Sequence, residues 1–105
     1  MNFDQYSELH EAFMELIRQN QAVYQSALSR PITNLQETRK RYHHVLSLLE
    51  REVQMGIQLS TYHRELDPAL LSSEDREQHR EFANNLIAVH QTTVRVIAEL
   101  KACLP

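Results

Sequence analysis

Glycine occurs once in this sequence, cysteine once, proline three times and tryptophan not at all. Glycine and proline punctuate loops, so their scarcity predicts few connections and long regular elements. A single glycine excludes a glycine-rich loop that cradles phosphate. The lone Cys103 excludes an intramolecular disulfide and any zinc site built on several thiolates. No apolar stretch approaches the ~18 residues needed to cross a bilayer. The start, Met1-Asn2-Phe3-Asp4-Gln5, lacks the basic residues and apolar run of a secretory signal. β-branched residues are sparse and scattered, which argues against a sheet. Nor is there an excess of positive charge: 11 Lys and Arg stand against 14 Asp and Glu, for a net charge of -3. Such a chain has no general attraction for nucleic-acid backbones or anionic lipid. The expectation is a cytoplasmic protein with no membrane partner.

What is present is the material of helices. Hydrophobic residues make up 42% and charged residues 24% of the 105 residues, so the chain is not compositionally disordered and suits one domain, 1–105. Gln, Glu, Leu, Arg and Ala, which keep rotamer freedom in a helix, are abundant. The fold class expected is all-α, an antiparallel bundle of three long amphipathic helices, with completion by dimerisation as a second form. The helices are expected at about 3–28, 32–66 and 73–103.

The first begins at Asn2, with Gln5 placed for a capping box. Apolar residues recur at Tyr6, Leu9, Phe13, Leu16, Val23 and Ala27 in alternating steps of three and four, the seam of a coiled-coil-like helix. Ile17, Tyr24 and Leu28 widen it. Asn20 falls on the seam, either as a polar residue that fixes register or oligomeric state, or as an edge residue.

Pro31 ends the first helix, since the residue before a proline disfavours helical torsions. The second then starts near Ile32, with Asn34 and Glu37 offering a later capping box. It shows two apolar stripes. One is Leu35, Tyr42, Val45, Leu46, Leu49, Val53 and Ile57; the other is Leu48, Met55, Leu59, Tyr62 and Leu66, emerging near Gly56. This predicts either a kink at Gly56 or a second half that faces a different partner. Asp67-Pro68 breaks the helix, and Ser72 or Ser73 caps the third, which carries Phe82, Leu86, Val89, Val94, Ile97, Leu100 and Leu104 on one side.

Constellations for chemistry are few. Di-iron bundles use Glu-x-x-His, and no Glu stands three residues before any of the six histidines. One metal arrangement survives: His63 with Asp67 and Asp75 with His79 are symmetric about Leu71, so a hairpin there would bring two His and two Asp together. The competing reading makes Asp67 a turn residue, Asp75 a helix-dipole partner and the histidines polar rim. Cys103 lies too near the terminus to build a water-excluded site. No enzymatic activity and no cofactor are expected. The run Arg39-Lys40-Arg41, followed by His43 and His44, is the one basic cluster, but on a helix it fans round the circumference. That speaks against nucleic acid as a partner.

By elimination, the sequence reads as a small protein-interaction module, in size and style like adaptors and chaperones of the secretion or flagellar export type. Its partner would be an amphipathic helical segment of another protein, held in an apolar groove of Leu48, Met55, Leu59, Tyr62 and Leu66. A homodimer is expected from Asn20 and from a second helix longer than the first. The alternatives are a metal-binding bundle using His63, Asp67, Asp75 and His79, or a nucleic-acid-associated regulator.

Overall fold

The computed structural model describes residues 1–104. It contains three helices that pack against one another, α1 (Phe3–Ser29), α2 (Leu35–Glu65) and α3 (Ser73–Cys103), with a short 3₁₀ turn at Pro68–Leu70. Among the described residues there is no strand. The molecule is a rod of 56 × 19 × 18 Å. No helix among the described residues is long and apolar enough to cross a membrane.

The helix ends follow local chemistry. Asn2 and Gln5 form the capping box: the Asn2 side chain accepts from the Gln5 N–H at 2.8 Å, and the Gln5 side chain accepts from the Asn2 N–H at 3.0 Å. Arg30, ahead of Pro31, is extended (φ -76°, ψ 138°) and closes α1. The second helix begins at Leu35, not Ile32. The Asn34 side chain accepts from the N–H groups of Gln36 and Glu37, and a capped start three residues later leaves Pro31 and Ile32 in the connection. Ser72 caps α3 through the N–H of Asp75. The helix α2 is therefore shorter than expected, and at 31 residues it matches α3, with α1 at 27. Little overhang is left to require a second copy.

Each helix turns one strict three-and-four ladder toward the axis. On α1 the ladder is Phe3, Tyr6, His10, Phe13, Ile17, Asn20, Tyr24 and Ala27, all buried or half-buried. On α2 it runs from Thr38 and Tyr42 through Val45, Leu49, Glu52, Gly56, Leu59 and His63 to Leu66. On α3 it is His79, Phe82, Leu86, Val89, Thr93, Val96 and Leu100. This is the seam geometry of helices crossing at shallow angles. Leu9, Leu16 and Val23, expected on the α1 seam, lie one position off it; Leu9 and Val23 are exposed and Leu16 is half-buried.

Tyr42, Val45 and Leu49 of one stripe expected on α2 and Leu59 and Leu66 of the other join in one ladder that passes through Glu52 and Gly56, while Leu35, Met55 and Ile57 lie off it and are exposed. Neither Glu52 nor Gly56 is apolar and large, so the seam looks interrupted in sequence. Glycine is used there for close approach: a Cβ at position 56 would stand 3.3 Å from Cζ of Phe13 on α1. The helix α2 stays one continuous helix across Gly56.

Two apolar clusters result. One holds Phe3, Tyr6, Phe13, Leu59 and Leu86, with Tyr62, Leu66 and Phe82 against it. The other holds Ala27, Val45, Leu49 and Leu100, with Tyr24, Tyr42 and Val96 against it. Between them lies a polar layer.

Candidate functional site

That layer takes one residue from each helix. Glu52 of α2 is 3% exposed. Its Oε1 accepts from Nδ2 of Asn20 on α1 at 3.2 Å, and its Oε2 accepts from the hydroxyl of Thr93 on α3. The Asn20 amide also reaches toward the Leu48 carbonyl at 3.4 Å. Asn20 is thus a buried seam residue whose partners lie inside the same chain. This accounts for its polarity without a second copy.

The helix α2 packs along both neighbours, whereas α1 and α3 meet much more sparsely. They are clasped at the hairpin end, where Phe82 of α3 stacks on His10 (ring centroids 3.9 Å apart) and on Phe3 (6.2 Å). Midway they part. A cleft of about 320 Å³ opens between Ile17, Gln21, Tyr24 and Gln25 of α1 and Ala88, Val89, Thr92, Thr93 and Val96 of α3, with Leu49 and Glu52 as its floor. No Lys, Arg or His lines it. The Tyr24 hydroxyl is held above its usual range, first by burial and then by the neighbouring Glu99, Cys103 and Tyr42. Volume, apolar walls and one polar group at the floor are the attributes of a binding cleft.

The groove expected from sequence does not form as a surface. Leu59 is 4% exposed and belongs to the core, with Tyr62 and Leu66 packed against the same cluster. Leu48 is half-buried, and Met55 alone of the five is exposed. What remains is a hollow of about 120 Å³ at Leu9, Met55, Gln58, Leu59 and Tyr62, with the Tyr62 hydroxyl 2.7 Å from Nε2 of Gln58. The reason is that Leu59 and Leu66 continue the seam and Tyr62 packs beside them, so these three are not surplus to it.

The hairpin does bring His63 to His79, whose rings stack with centroids 3.6 Å apart. Each is occupied by the backbone of the other. Nε2 of His63 lies 2.7 Å from the His79 carbonyl and Nε2 of His79 lies 3.0 Å from the His63 carbonyl. A carbonyl can only accept, so both Nε2 atoms carry hydrogen and donate. The Asp67 carboxylate accepts from the Ala69 N–H at 3.0 Å in the 3₁₀ turn, and Asp75 sits in the first turn of α3. Among the described residues no three His, Cys, Asp or Glu side chains stand together as metal ligands. The four-residue metal arrangement is therefore not assembled.

The basic run disperses as its helical positions dictate. Arg39 and Lys40 are exposed, whereas Arg41 lies beside Arg30 and His44 along the groove between α1 and α2.

Sequence reasoning missed Glu52 and the cleft above it. The available signal was the ladder itself: continued at three-and-four spacing through positions 49, 52, 56 and 59, it places Glu52 in the core. No family model matches the chain, and neither a curated protein nor a solved structure shows significant similarity to it.

Proposed function

We propose that this protein is a small cytoplasmic interaction module, an adaptor or chaperone, that seats an amphipathic helical segment of a partner protein in the cleft between α1 and α3. The observation that carries this reading is the opening of the α1–α3 seam over Leu49 and Glu52, beyond the hairpin end where Phe82 clasps Phe3 and His10. A helix laid there would contact Ile17, Tyr24, Val89 and Val96 and turn three helices into four, a packing with the same shallow crossing. Helix-in-groove recognition needs such an apolar trough between helical walls.

The test uses a photo-reactive amino acid at Thr92, an exposed position on the cleft wall, with cross-linking in the native host. The expected adduct is with an amphipathic segment of another protein. It should vanish when Ala88→Trp fills the cleft, with helical circular dichroism unchanged. No adduct, or one indifferent to Ala88→Trp, refutes the proposal. An adduct with a second copy of this chain replaces the partner by a homodimer.

A further inference from the structure

Glu52 is the anomaly of the core. Acidic side chains are almost never fully buried unless paired, and removing a carboxylate from water is costly without a compensating cation. Here the two hydrogen-bond donors, the Asn20 amide and the Thr93 hydroxyl, are both neutral. None of the ion pairs among the described residues involves Glu52: they join Arg18 to Glu15, Arg80 to Glu77 and Lys101 to Glu50, all on exposed side chains. No Lys, Arg or His lines the cleft above Glu52; His90 borders a small hollow on its other side but makes no hydrogen bond or ion pair with it. A carboxylate offers about four acceptor sites, and two are used. A polar seam layer that only fixed register would be served by glutamine, whose oxygen can accept from the Asn20 amide and whose NH2 can donate to a reoriented Thr93 hydroxyl, without the charge. The charge itself asks for a cation, and the cleft opens directly onto it.

We infer that the helix seated in the cleft presents a lysine or arginine from its apolar face, and that this cation pairs with Glu52. This deepens the reading of the cleft as a helix seat and rests on it. The cation's aliphatic stem would lie along Ile17 and Val89 while its head reached the floor, the way long basic side chains cover apolar surface and deliver charge at their tip. Glu52 would then act as the selector among amphipathic segments. Most offer enough apolar area, and few carry a cation at the centre of the apolar stripe. A segment with an acidic or apolar residue there would leave the carboxylate buried and unpaired, a penalty that discriminates more sharply than apolar contact does.

The probes are three helical peptides of about twenty residues, identical but for lysine, methionine or glutamate at the centre of a leucine stripe. Their affinities are read by fluorescence anisotropy against the wild-type protein, Glu52→Gln and Ala88→Trp. On wild type the lysine peptide should bind about tenfold more tightly than the methionine peptide, and the glutamate peptide most weakly. On Glu52→Gln the lysine advantage should disappear while the methionine peptide binds as before or better. On Ala88→Trp none should bind. Lysine and methionine peptides binding wild type equally overturns the inference and leaves the helix seat standing. Binding that Ala88→Trp does not remove, or no binding at all, overturns both. A lysine peptide displaced by micromolar spermidine would assign Glu52 to a free amine and also overturns it. Should Glu52→Gln fail to fold, the lysine–glutamate contrast on wild type still decides the sign of the selection. A melting temperature for the free protein that rises on Glu52→Gln supports a carboxylate kept for a cationic partner; one that falls marks the charge as structural and counts against it.

Discussion

At the hairpin end Tyr6, His10, His63 and His79 share one aromatic nest. The Tyr6 ring lies 5.7 Å from that of His63 and 6.3 Å from that of His79. The Tyr6 hydroxyl is buried without a partner, and burial pushes it up to about 12. Nε2 of His10 is likewise buried and unpaired while its ring stacks on Phe82. Burial lowers His10, with the nearby His63 adding to the effect. Burial also lowers His63, followed by the charges of His79 and Arg64; the hydrogen bond to the His79 backbone opposes this. Both histidines therefore hold protons less tightly in the folded protein than in the unfolded chain, where the value is about 6.5. Between the folded and unfolded values the unfolded state binds more protons, so stability rises with pH there. The expected profile is a urea midpoint that is flat above about pH 7 and falls steadily as the pH drops below about 6.5. His10→Phe should keep the stack on Phe82, remove the orphaned nitrogen and make the decline shallower. A midpoint that rises on acidification would contradict the burial assigned to these rings.

At the scale of the element, α2 shows what a sequence states openly and what it hides. The number of helices, the Asn2 box, the break at Pro31 and the span of α3 all follow from local chemistry, which needs no knowledge of neighbours. The seam is harder to read because its members are not all apolar. His10, Asn20, Glu52, Gly56, His63, His79 and Thr93 occupy ladder positions, and a search for large apolar residues slips to Leu9, Val53, Met55 and Ile57 instead. Asn20, Glu52, His63, His79 and Thr93 are admitted to such positions because another helix supplies a hydrogen-bond partner for each. That information is tertiary, as with Asn20 and Thr93 converging on Glu52.

Gly56 makes the same point for packing, because its smallness is matched to Phe13 across the α1–α2 interface. Gly56→Ala gains intrinsic helix propensity of about 1 kcal/mol but sets a methyl 3.3 Å from Phe13 Cζ. The two effects should nearly cancel. Gly56→Val adds a second branch with no room to go and should cost about 1–3 kcal/mol in denaturant titration. A stabilising valine would mean that the helices do not approach as closely as the layer requires.

For the whole molecule the informative property is shape. A compact domain of about 100 residues has a radius of gyration near 13 Å, whereas this chain has 16.7 Å over its Cα atoms and a long axis of 56 Å. The difference arises because one strict ladder per helix keeps three long helices side by side, with no break that would let them fold back into a shorter globule. A rod of this section has little interior, which is why its core is only one ladder wide and why a single polar layer divides it. The same thinness leaves the α1–α3 seam open midway, since two clusters at the ends suffice to hold α1 and α3 to α2. Small-angle X-ray scattering on the free protein should therefore give a radius of gyration close to 17 Å, with allowance for side chains and hydration, and a maximum dimension near the 56 Å axis. A value near 13 Å would show that α2 bends at Gly56 in solution and that the continuous ladder is wrong. Addition of a helical peptide offers a sharper discrimination. A helix in the cleft lies along the rod, so the cross-section should thicken while the maximum dimension stays the same. Lengthening of the rod would place the peptide at an end, outside the cleft, and would remove Glu52 from the interface.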